Sequence, residues 1–173
     1  MSTPLPEPWL RGPLPGIPPL LQPAAHAFVM SIEDCEAAAA GLSTAQLWHA
    51  PAGAASVGFH LVHLAGSTGR LLTYAQGEAL SPAQKAALVA ERAPADPRPD
   101  AATLLRAWRE GVERALAQLA ATPDSTLLDA RAVGRARLPS TVLGLLFHAA
   151  EHASRHTGQA VTTAKIVRAN PRT

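Results

Sequence analysis

The chain has 173 residues, enough for one domain whose core needs no staples. Its residues are 47% hydrophobic but only 4% aromatic, so the core must be built from Ala, Leu and Val, a composition that favours helix. With 15 basic against 13 acidic residues and no dense basic run, nothing points to nucleic acid, and the single cysteine, Cys35, excludes an internal disulfide.

Residues 1–19 are rich in proline, with Trp9 and Leu10 as large apolar anchors, and are expected to form an extended arm lying across the rest. No basic stretch followed by an apolar run opens the chain, so no secretory signal is expected. A first helix is predicted over 23–40. Its residues Ala24, Phe28, Ile32 and Cys35 share one face, and Gly41 provides a left-handed cap. Ser43 with Gln46 has the pattern of a capping box opening a short turn through Trp48.

A second helix is predicted over 56–75, with a stripe of Phe59, Val62/His63, Gly66, Gly69/Arg70 and Thr73. The most apolar stretch of the chain, 54–66, is broken by His60 and His63 and falls short of a membrane span. A cytoplasmic protein without membrane association is therefore expected. Ser81-Pro82-Ala83-Gln84 opens a short connecting helix with proline in its first turn. Pro94, Pro97 and Pro99 mark a linker. Asp100 is a good N-cap for a third long helix over 101–121, buried through Leu104, Leu105, Trp108, Val112, Ala115, Leu116 and Leu119.

Residues 122–139 form a loop longer than helix connections usually are, which points to a functional segment or to local structure. The last helix is predicted from Ser140 to Arg168, with Leu145, Ala149, His152, His156, Gln159 and Thr163 on one seam. The expected fold is all-α: a four-helix bundle over 20–169, with a Pro-rich arm before it and a long loop before the last helix. Metal sites in such bundles are built from inward side chains on facing helices.

Five histidines fall in two clusters, His60/His63 and His148/His152/His156. A spacing of four places two imidazoles about one turn apart and roughly 40° around the helix, close enough to share an ion. His148/His152 and His152/His156 both satisfy this, and either His60 or His63 could supply a ligand from the second helix. Three protein ligands leave a position for water or substrate, the arrangement of catalytic metal sites. Burying several imidazoles without a shared ligand would leave polar atoms unsatisfied. His26 and His49 stand outside the clusters and are read as ordinary core or surface residues. A metalloprotease motif would need Glu between two paired ligands, but Ala153, Ser154 and Arg155 separate His152 from His156. The Glu-x-x-His pairs of di-iron bundles are absent as well.

Ser56-Val57-Gly58-Phe59-His60-Leu61-Val62-His63-Leu64-Ala65-Gly66 resembles the second-helix signature of the DinB-like superfamily, which includes bacillithiol and mycothiol S-transferases. His152-Ala153-Ser154-Arg155-His156-Thr157-Gly158-Gln159 is similar to its closing signature. The resemblance covers about residues 20–169. It implies His63, His152 and His156 as ligands of one divalent metal, with Zn or Ni favoured over Fe or Mn. It further implies a structural or supporting role for Gln159, supporting places for His60 and His148, and a homodimer. Thr157 stands where relatives usually carry Arg.

Ser67 and Arg70 follow His63 on roughly the same face. They are read either as a pocket floor with an anion-binding Arg70 or as a core serine with an arginine reaching to the surface. Arg155 is expected at the surface or in an interface, Cys35 as an inert buried thiol, and Trp48 and Trp108 in the core.

Two functions from different classes fit. One is a metal-dependent enzyme, in concrete form a transferase that adds a low-molecular-weight thiol to a small-molecule electrophile. The other is a non-catalytic bundle that the metal stabilises by binding only the folded state. A metal-free module for small ligands is a weaker third.

Overall fold

The computed structural model describes residues 5–93 and 96–169. Four long helices form the bundle: α1 (Gln22–Ala39), α3 (Val57–Ala75), α5 (Ala101–Ala121) and α6 (Val142–Ala169). Two short helices, α2 (Thr44–Trp48) and α4 (Pro82–Ala90), lie in the connections. The long helices touch in a ring in the order α1, α6, α3, α5.

The helix ends follow the local chemistry. Ser43 and Gln46 close a reciprocal capping box at α2, and Ser81 with Gln84 does the same at α4. Ser56 and Asp100 accept the N–H groups of Phe59 and Thr103, three residues into α3 and α5. Past the end of α1, Gly41 takes a φ of +72°, a conformation that a Cβ would strain.

The core runs through Phe28, Leu61, Leu64, Trp108, Leu119 and Leu146. The rings of Phe28 and Trp108 meet at 6.4 Å, tilted by 59°. Alanines 149, 153, 160 and 164 face the core on α6, and their small side chains let α1 and α3 approach it closely. Trp48 is buried too. Its indole lies so close to Gly58 that a Cβ there would fall 2.7 Å from the ring, while its Nε1 donates to Pro99 O at 2.8 Å.

Two expectations need correction. Trp9 and Leu10 do not anchor the arm, being 58% and 56% exposed. The arm is held instead by buried Pro8 and Leu21, by the Arg11–Glu33 ion pair at 2.6 Å, and by Gln22, whose amide bonds Leu14 and Ile17. His26 joins this set through its ring, whose Nε2 donates to Gly12 O at 3.0 Å. On α3 the buried stripe is Val57, Leu61, Leu64, Thr68 and Leu72, so Phe59, His63 and Gly66 lie along its edge. The loop before α6 contains an antiparallel hairpin, β1 (Ala130–Val133) paired with β2 (Leu138–Thr141). Pro139 is tolerated there because a two-stranded ribbon has only edge strands.

Candidate metal centre

α3 and α6 bring three histidines to one place. One ring nitrogen each from His63, His152 and His156 lie within 4.8 Å of one another. The Nε2 atoms of His63 and His152 are 2.9 Å apart. The His156 ring sits 4.5 Å from both the His63 and the His152 rings, centroid to centroid. All three are half-buried.

Each ring has a different support. His63 Nδ1 is 2.9 Å from Glu91 Oε2. A carboxylate only accepts, so Nδ1 carries a proton and Nε2 is the atom left for the cluster. His156 Nδ1 is engaged with His60 Nδ1 at 3.1 Å, which leaves its Nε2 for the cluster. His152 Nδ1 is buried with no hydrogen-bond partner among the described residues. Phe59 lies parallel to the His63 ring, 5.6 Å away, and walls one side.

Burial disfavours the charged form of three of the histidines gathered here. His60, His152 and His156 are each pushed down to about 4, mainly because burial disfavours the imidazolium. Repulsion from neighbouring histidines adds to this: His63 for His60, chiefly His156 and His63 for His152, and chiefly His63 and His60 for His156. Near neutral pH His152 and His156 are thus uncharged and can offer lone pairs at the point where His63 meets them. Imidazole nitrogens suit a divalent transition metal, and a buried ring nitrogen of His152 without a partner among the described residues is consistent with a missing ligand.

The other residues singled out from sequence separate clearly. His60 is buried behind His156. His148 is not in the cluster: its side chain is 49% exposed and its ring faces Glu151 at 3.3 Å. Gln159 also departs from the expected seam and is exposed, because the buried strip of α6 passes through Ala153, Thr157 and Ala160 instead. Ser67 is a core serine donating to His63 O at 2.6 Å. Arg70 does not reach the surface; it is buried and paired with Glu91. Thr157 is buried and shares a 2.6 Å hydrogen bond with Ser31, a neutral contact between α6 and α1. Arg155 is at the surface, paired with Glu151. Cys35 is buried and its thiol is raised to about 11 by desolvation, as an inert cysteine should be.

Glu91 is the residue that sequence reasoning missed. It caps the C-terminus of α4, is 9% exposed, and divides its carboxylate between His63 and Arg70. Gly66 makes this possible: a Cβ there would collide with Glu91 Oε1 and come within 2.9 Å of Arg70 Nη1. A glycine one turn past a candidate ligand, on the edge of an amphipathic helix, was the only sequence signal for a side chain arriving at that point.

Fold and site together define a four-helix bundle carrying a three-histidine cluster between two of its helices. The family model described as DinB superfamily matches residues 27–160, and the chain belongs to that superfamily. No curated protein matches it. Among the described residues no helix is long and apolar enough to cross a membrane.

Proposed function

We propose that the protein binds one divalent metal ion through His63, His152 and His156 and uses it to activate a small nucleophile, a low-molecular-weight thiol or water. The observation that carries this is the convergence of three imidazoles from two helices, one of them already oriented by a buried carboxylate. When bound, the metal would supply a Lewis acid that lowers the pKa of a group in its remaining position. Glu91 fixes the tautomer of His63, and His60 fixes the ring of His156, so both ligands are preorganised. Cys35 cannot supply the nucleophile, because it is buried and its thiol stays protonated. The thiol is therefore external, as the family resemblance implies.

The test is elemental mass spectrometry on untagged protein, beside His63→Ala and His152→Ala. About one Zn or Ni per chain in the wild type, and none in either variant, is the expected result. A wild type that takes up no ion after incubation with Zn or Ni would overturn the reading. A metalated protein is then titrated with thiols. Spectral change at the Co- or Ni-substituted centre supports activation, and no change with any thiol leaves the metal a purely stabilising role.

A further inference from the structure

A cavity of about 1000 Å³ lies between the end of α3, α4 and the hairpin. This is at the upper end of the roughly 300–1000 Å³ typical of small-molecule sites. None of the clustered histidines lines it.

Its walls differ in character. The hairpin contributes Arg131, Arg135 and Arg137, and α4 adds Lys85; Glu78 is the one acidic residue in the lining. None of these five charged groups makes an ion pair among the described residues, although Arg70, Arg109, Arg114 and Arg155 of the long helices do. Arg131 is already immobilised: its Nε donates to Ala75 O at 2.7 Å and its Nη1 to Ala130 O at 2.9 Å, which leaves Nη2 to donate elsewhere. The facing wall is apolar, with Leu88 and Val89 of α4 exposed by 41% and 73%. Apolar side chains so exposed on a helix that buries none of its own residues are costly in water unless something covers them.

We propose that this cavity binds a small amphipathic anion, its carboxylate or phosphate held by Arg131, Arg135 and Arg137 and its apolar body laid against Leu88 and Val89. The planar fork of arginine suits such oxyanions, and one preorganised guanidinium lowers the ordering cost of the contact. A bare anion would leave the apolar wall wet, and a neutral lipid would leave the cations unpaired. Nothing in this proposal depends on metal at the histidine cluster.

The experiment titrates isotopically labelled full-length protein with decanoate, 1-decanol and acetate, and follows amide shifts. Decanoate should shift the amides of the hairpin and of α4 and bind at least about tenfold more tightly than either other probe. Arg135→Gln/Arg137→Gln and, separately, Val89→Asp should each weaken decanoate by about tenfold or more while keeping the wild-type melting temperature, since these side chains are exposed. Unchanged affinity in both variants would overturn the proposal, as would decanol or acetate binding as tightly as decanoate. Sedimentation with phosphatidylglycerol vesicles without binding of free decanoate would also overturn it, showing a membrane surface to be the partner.

Discussion

Replacing Glu91 tests how far the candidate centre depends on a side chain that ligates nothing. The carboxylate accepts from His63 Nδ1 at 2.9 Å and pairs with Arg70, and the Glu91 and Arg70 side chains are only 6% and 10% exposed. Glu91→Gln keeps the shape and an oxygen for His63 but leaves Arg70 as a buried charge without its counterion. Breaking a buried pair from one side costs about 3–5 kcal/mol. In a domain of this size that lowers the melting temperature by on the order of 10 °C. Loss of the carboxylate behind a metal-bound histidine typically weakens the metal about 10- to 100-fold, or about 1.4–2.7 kcal/mol. The two effects separate in Glu91→Gln/Arg70→Gln, which removes both charges. The double variant should recover much of the stability of the metal-free protein while still binding metal at least about tenfold more weakly than the wild type. Chelator-competition titrations with Zn give the affinity, and thermal unfolding with and without chelator gives the stability. If the double variant binds Zn as tightly as the wild type, Glu91 does not hold His63 for a metal.

Three other outcomes follow from the same geometry. His60, His152 and His156 titrate near 6.5 when unfolded and at about 4 when folded. Between those values the unfolded chain binds more protons, so the histidine contribution is complete above about pH 6.5 and is lost as pH falls toward 4. Melting of chelated protein should show this decline, and His60→Gln should make it shallower; a flat profile across that window would contradict the burial argument. Gly66→Ala should cost about 1–3 kcal/mol in thermal unfolding and weaken Zn binding, because the new methyl occupies the place of Glu91 Oε1. Cys35 should resist iodoacetamide in native protein at about pH 8 and react fully once unfolded; rapid native alkylation would show that the α1–α6 contact opens.

The frame of the bundle was legible because its signals are local. The serines at 43, 56 and 81, Asp100 and Gly41 each act within a turn of their own position, and the helices begin and end there. The histidines were legible as clusters, but a spacing of three or four does not say which face a helix turns inward. Only the packing of α6 against α1 and α3 rotates His148 to the surface and keeps His152 and His156 at the seam. The same rotation turns Gln159 outward. Glu91 lies 28 residues from His63, on a segment whose docking has no periodicity to announce it. The hairpin was hidden for a similar reason: strands of four residues with a proline in one carry almost no pattern of their own.

α4 has a consequence for how the molecule breathes. It buries none of its own side chains, and it is tied to α3 at its start by Gln84, which donates to Thr73 Oγ1 at 2.7 Å, and at its end by Glu91. Such a segment opens with little loss of buried surface, so its amides should exchange with solvent well before those of α1 or α6. Because one of its two tethers ends on a candidate metal ligand, exchange along Pro82–Ala90 becomes a local gauge of the histidine cluster: filling the centre should slow it, and emptying the centre should release the helix while the bundle stays folded.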